Sequence, residues 1–280
     1  MIKALDGYVC VEVFAEDDMP SFEKYGVESM PTMMFITTEG REIGRFGAFK
    51  PPADFVRALS ECVSSSDNIE KGKKLLAGDP KNAEGLYLLA LGYLYQKGRS
   101  DSVIENIEKL KKLDVNKDNK VFICRGLKIL SKIKKEAFSE ALLKIVEIDP
   151  ENESGETIHA LYMLGILKRT NSEQMKGFFE KLRKLDPDDK HGYDDDMAFA
   201  EALIPYYKKD YKKTIKNLKD FMDKYKNSEL ASKALLQIAS CWYRAKEKDK
   251  CIEELDRLLK QYPDSGEAGS AKALLKRLKK

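Results

Sequence analysis

No stretch of the 280 residues approaches the roughly 18 consecutive apolar positions that a bilayer-crossing helix requires. No membrane span is expected. Met1-Ile2-Lys3-Ala4-Leu5-Asp6 holds neither an apolar signal core nor a cleavage site. The chain as written is therefore expected in the cytoplasm, and a longer product in the periplasm. Histidine is nearly absent: His159 and His191 are the two in the chain. Neither stands near a Ser or Cys nucleophile in a recognisable motif, so covalent catalysis has no candidate. No glycine-rich phosphate loop occurs. The five cysteines are widely spaced and contain no Cys-x-x-Cys, which excludes the usual disulfide and zinc patterns. Cys124, Cys241 and Cys251 lie among apolar helical residues and read as small core residues. No cofactor is expected.

What is present is charge. Charged residues make up 35% of the chain and the net charge is +3. The balance is uneven. Residues 1–63 hold six Lys/Arg against eleven Asp/Glu, and the remainder holds forty-four against thirty-six. Lys and Glu interleave rather than segregate, which describes solvated helix faces and not a nucleic-acid footprint.

A phrase also recurs. Asp79-Pro80, Asp114-Val115, Asp149-Pro150, Asp186-Pro187, Tyr225-Lys226 and Tyr262-Pro263 follow one another at intervals of 35, 35, 37, 39 and 37 residues. Each closes a helix-length run. A period in the mid-thirties means an array of helix pairs, none of which can bury its apolar side alone. The spacing predicts five pairs: 83–97 with 100–113, 121–134 with 136–148, 157–169 with 173–185, 195–208 with 211–225, and 230–245 with 249–261. A lone helix over 67–77 precedes them and a polar capping helix over 266–278 follows. Pro205 lies inside a predicted helix and should kink or break it.

Small residues where helices cross, such as Gly92, Gly165 and Ala239, with large apolar residues around them, resemble the tetratricopeptide family. The closing Tyr262-Pro-Asp-Ser265 and the alanine-rich helix after it resemble bacterial arrays in particular. The resemblance implies a mainly α, tetratricopeptide-type α-solenoid over 67–280 whose first helices line a concave groove. By that phase His159, Tyr162, Arg169, Thr170, Phe199, Tyr206, Tyr207, Lys233 and Tyr243 face the groove, where Tyr and Arg make good interface anchors. The alternative for several of them is packing between adjacent repeats.

Residues 8–63 do not follow the period. Tyr8–Phe14, Met33–Thr37 and Glu42–Phe46 read as strands, with a short helix from Asp18 to Tyr25 closed by Gly26. Pro51-Pro52 opens a helix to Val63 with Phe55, Val56, Leu59 and Cys62 as its apolar stripe. Ser64-Ser65-Ser66-Asp67 reads as a polar junction. Lys24-Tyr25-Gly26-Val27-Glu28-Ser29-Met30-Pro31-Thr32, with Gly40 and Gly47 after it, resembles the second half of a thioredoxin domain. That resemblance implies a small α/β half-thioredoxin fragment over 1–63 and a cis-proline at Pro31. The family's redox cysteine pair has no counterpart, and neither Cys10 nor Cys62 has the partner that thiol exchange needs. A missing central strand leaves sheet edges wanting partners. Either the gene product begins upstream or the fragment packs against the first repeat helices.

Two acidic stretches invite a metal. Asp114-Val-Asn116-Lys-Asp118-Asn119 starts like a calcium loop, but Arg125 stands where a bidentate Glu belongs. The aspartates of 186–196 around His191 read as a solvated loop whose last members favour the following helix N-terminus. No metal site is expected. The function these observations support is a non-enzymatic scaffold that binds a protein or peptide in the groove. The alternative is a thiol-disulfide oxidoreductase or redox-linked chaperone whose redox half lies upstream, encoded as Cys-x-x-Cys or with selenocysteine.

Overall fold

A computed structural model describes residues 6–14, 16, 18–47 and 52–278. The chain divides into two compact units, residues 1–156 and 157–280. It is mainly helical, and its hairpins are of the tetratricopeptide-like α-solenoid type.

Unit 1 begins with α1 (Met19–Tyr25), β1 (Thr32–Ile36), β2 (Glu42–Gly47) and α2 (Pro52–Val63). Asp18 caps α1, accepting a bond from the Ser21 amide at 3.1 Å, and Gly26 closes it in the left-handed region at φ 55°. The Met30–Pro31 bond is cis. β1 and β2 pair antiparallel, with Thr32 opposite Gly47.

The expected strand over Tyr8–Phe14 is not formed. The only sheet among the described residues has two strands, and Val9 is 95% exposed. A β-branched run becomes a strand only where a neighbour offers a ladder. The outer edge of β2 is occupied otherwise. The Arg45 amide donates to the Tyr95 carbonyl at 2.9 Å, and the Ser65 hydroxyl to the Ile43 carbonyl at 3.0 Å. Phe46 joins Phe55, Ala58, Leu59, Cys62 and Tyr95 in one buried cluster. The hairpin thus packs on α2 and on the helices that follow. Val56, placed on the apolar stripe of α2 by sequence, is exposed, and Ala58 fills that role.

α3 (Ser65–Gly78), α4 (Ala83–Leu94), α5 (Ser100–Leu110), α6 (Lys117–Ile133) and α7 (Phe138–Ile148) complete unit 1. The expected polar junction is instead the first turn of α3, which follows α2 after Ser64. Asn116 begins α6 by accepting from the amides of Asp118 and Asn119. That gives this acidic stretch a capping role.

Unit 2 holds α8 (Thr157–Leu167), α9 (Ser172–Leu185), α10 (Asp194–Ala202), α11 (Ile204–Tyr207), α12 (Tyr211–Lys224), α13 (Ala231–Arg244), α14 (Lys248–Gln261) and α15 (Ala268–Leu278). Pro205 breaks the predicted helix as expected of a residue without an amide hydrogen: α10 ends and α11 restarts with proline in its first turn. α15 is amphipathic. It buries Ala268, Ala271, Leu275 and Leu278 against α13 and α14.

The recurring Asp-Pro phrase has a physical cause. Asp149 and Asp186 end their helices buried, and each carboxylate folds back on the turn. Asp149 accepts from the amides of Glu153 and Ser154 and from the Ser154 hydroxyl. Asp186 accepts from the amides of Lys190 and His191 and from the His191 ring at 2.8 Å.

Candidate functional site

Unit 2 carries all nine residues assigned to a groove. The structure gathers some of them into a polar seam. His159 Nδ1 lies 3.0 Å from the Tyr193 hydroxyl, and the Tyr162 ring stacks on Tyr193 at 4.3 Å. The Tyr162 hydroxyl donates to Asp196 at 3.2 Å. Ser228 donates to Asp195 at 2.6 Å, and Ser232 to Glu267 at 2.7 Å. The partners in these pairs stand 34, 34, 33 and 35 residues apart. That offset is one repeat, so the seam stitches each hairpin to the next. Burial pushes the Asp196 carboxyl above the ordinary carboxylate range, Asp195 adds to the rise, and Lys233 opposes it. Burial also raises the Tyr162 phenol, beside the Asp196 carboxylate.

A second cluster gathers where α11, α12 and α13 meet. Tyr206 lies edge-on to Tyr207 and to Tyr211, each at 5.9 Å, and the Arg244 guanidinium sits over the Tyr206 ring at 5.6 Å. Tyr207 is 37% exposed and Tyr243 50% exposed, and Lys208, Lys209, Lys212 and Lys213, which follow Tyr207 in the chain, face solvent. Tyr206 is half-buried against the core of Ile215, Leu218, Ala234 and Ile238. Phe199 faces that same core and meets Phe221 at 5.5 Å. Arg169 and Thr170 are exposed in the turn after α8.

Unit 1 contains a feature that the groove assignment did not include. A cavity of about 930 Å³ is bounded by the hairpin, α2, α4 and α6. Tyr87, Leu91 and Leu94 of α4 line it at helical spacing, as do Arg125, Lys128, Ile129 and Lys132 of α6. Arg45, Arg57 and Lys97 add three further cations, against three carboxylates from Glu28, Glu61 and Glu156. Each carboxylate has a partner. Glu61 accepts from the Tyr95 hydroxyl at 2.5 Å, Glu156 pairs with Lys128, and Glu28 lies 3.7 Å from Lys97. Burial raises the Tyr87 phenol and Arg125 draws it partly back. The signal was present in sequence as the stripe 125, 128, 129, 132. It was missed because Lys-rich helices are usually solvated on that face.

The thiols have no such setting. Burial pushes Cys62 up to about 12, and Cys124 and Cys241 each up to about 11. Cys251 is also raised by burial. Cys10 is exposed rather than packed in a strand.

Paired helices of this length, crossing at small residues and linked at repeat offsets, define a tetratricopeptide-like helical-repeat fold. Residues 191–272, from the loop before α10 into α15, match the family model of YfiO, described as an outer membrane lipoprotein. The match covers under a third of the chain. No curated protein matches the chain significantly. Among the described residues no helix is long and apolar enough to cross a membrane.

Proposed function

We propose that the chain is a non-catalytic interaction scaffold of the cell envelope that holds a peptide or client protein against the inner faces of its hairpins. One observation carries the reading: the exposed aromatic and cationic surface around Tyr207, Tyr243 and Arg244 on an otherwise well-packed stack. Rigid aromatic rings with a polar handle give contact area at low entropic cost. The envelope setting takes the place of the cytoplasmic expectation because the matched family is described as an outer membrane lipoprotein. A thiol-exchange role draws no support from this chain, since a buried thiol pushed upward supplies little thiolate at neutral pH.

The test is a pair of substitutions chosen for exposure. Tyr207→Ala with Tyr243→Ala is expected to weaken capture of the native partner at least tenfold while leaving the melting temperature within about 2 °C. Tyr206→Ala is a poor probe because it also opens the core. Partner recovery from crosslinked envelope fractions that is identical for the double variant and the parent would refute the reading.

A further inference from the structure

Lys and Glu interleave along the sequence, but unit 2 sorts its charge by edge. Its helices are joined by short turns, so successive arms run antiparallel and alternate turns share an edge, with α10 and α11 together forming one arm. Residues 186–196, 225–229 and 262–267 fall on one edge and hold nine Asp/Glu against two Lys/Arg. Residues 168–171, 208–213 and 246–250 fall on the other and hold nine Lys/Arg against three Asp/Glu. α15 runs back toward this second edge and ends with Lys276 and Arg277 in its last turn. The acidic edge has a use inside the molecule. Asp186 and Asp189 accept from turn amides, Asp195 from Ser228, Asp196 from Tyr162 and Glu267 from Ser232. The basic edge has none of that kind. Lys208, Lys209, Lys212 and Lys213 are exposed, and none of their ammonium groups has a partner among the described residues. Arg169 and Lys246, in the neighbouring turns, stand equally exposed and unpaired among the described residues. The edges lie about 20 Å apart, the length of a 14-residue helix such as α12. Physiological salt screens charge over roughly 8 Å, so the acidic edge does not neutralise the basic one.

We propose that the basic edge of unit 2 docks on the surface of an anionic lipid bilayer, with the turns at 168–171, 208–213 and 246–250 against the headgroups. The cations are spread over successive turns, mostly as lysines on long flexible stems. A small anion would meet one turn only, whereas a broad charged surface meets them all. Each Lys or Arg that reaches such a surface raises partitioning roughly fivefold. Lipids also move laterally to meet each cation, which tolerates Asp210, Glu247 and Asp249 among the turns. A nucleic acid fits worse, because its fixed row of phosphates would run across those carboxylates. A second copy would have to offer its acidic edge, whose carboxylates already serve their own turns. That contact is also heterologous and would build open chains.

The inference goes beyond the scaffold reading, which rests on Tyr207, Tyr243 and Arg244, so the two can fail separately. The full chain is co-sedimented with vesicles of phosphatidylcholine alone or with roughly 30% phosphatidylglycerol. At about 50 mM salt the acidic vesicles should bind at least tenfold more tightly, and about 300 mM salt should cost at least tenfold. Lys208→Gln with Lys209→Gln, Lys212→Gln and Lys213→Gln, all at exposed positions, should weaken binding at least twentyfold. The same charge loss around the opposite edge, by Lys181→Gln, Lys184→Gln, Lys190→Gln and Lys226→Gln, should change it less than threefold. Both variants should melt within about 2 °C of the parent, as surface changes do. Glycerol phosphate should displace the chain no better than chloride at equal ionic strength. Tyr207→Ala with Tyr243→Ala should leave vesicle binding within threefold. Equal binding to both vesicles, no binding to the acidic ones, or equal losses in the two lysine variants would each overturn the proposal. So would displacement specific to glycerol phosphate, tighter binding to duplex DNA than to vesicles, or self-association that the Lys208, Lys209, Lys212 and Lys213 changes abolish. Loss confined to the tyrosine variant would overturn it too, while leaving the scaffold reading intact.

Discussion

Two aspartates of unit 2 illustrate opposite uses of a carboxyl group. Burial pushes Asp186 up, but bonds from the His191 ring, the His191 amide and the Lys190 amide outweigh it, and the net shift is downward. A depressed folded pKa stabilises the protein above the unfolded value, near 3.9, and the contribution is lost as pH falls through the folded value. Asp186→Ala is expected to cost about 1–3 kcal/mol at pH 7, since amides in the turn lose their acceptor. Urea titrations should show the gap to the parent closing below about pH 4. Asp196 behaves oppositely. Its folded pKa is raised, so the ionised form costs stability at neutral pH, and the cost fades as pH falls toward the carboxylate range. Asp196→Asn keeps an acceptor for the Tyr162 hydroxyl and should melt higher than the parent at pH 7.5. The advantage should shrink by pH 4.5. A variant that melts lower at both pH values would show that the charge is compensated.

The helix pairs explain which parts of the element plan were legible. Asp149, Asp186 and their following prolines mark turns because a carboxylate can satisfy several orphan amides at once. That chemistry is local, so sequence carries it. Gly165 was legible too, as a crossing point. A Cβ there would lie 2.6 Å from Cδ1 of the fully buried Phe179 ring. Gly165→Ala is accordingly expected to cost about 1–3 kcal/mol by overpacking, measured by chemical denaturation. A change of less than about 0.5 kcal/mol, the usual scatter for surface sites, would mean that α8 and α9 can shift apart freely. The run 8–14 misled because strand formation depends on a neighbour that sequence does not display. The cavity escaped for the same reason. Its α6 stripe was readable, but the hairpin and α2 that turn a charged face into a hollow lie 60 or more residues away in sequence.

At the scale of the whole molecule, the cysteines report on both units at once. Cys62 and Cys124 are buried in unit 1, and Cys241 and Cys251 in unit 2, while Cys10 is exposed. Desolvation raises all four buried thiols, so each needs an opening of its unit before it can react. Titration of the native chain with a chromogenic disulfide should therefore show one thiol reacting within seconds and four reacting slowly. All five should react promptly in denaturing urea. The same experiment discriminates the scaffold from a thiol-exchange enzyme. Exchange catalysis requires a thiol that is both accessible and largely ionised near neutral pH. The four buried thiols fail on both counts. Two rapidly reacting thiols per native chain, or a fast phase that persists at pH 6, would mean that one of them is activated and would reopen the catalytic reading.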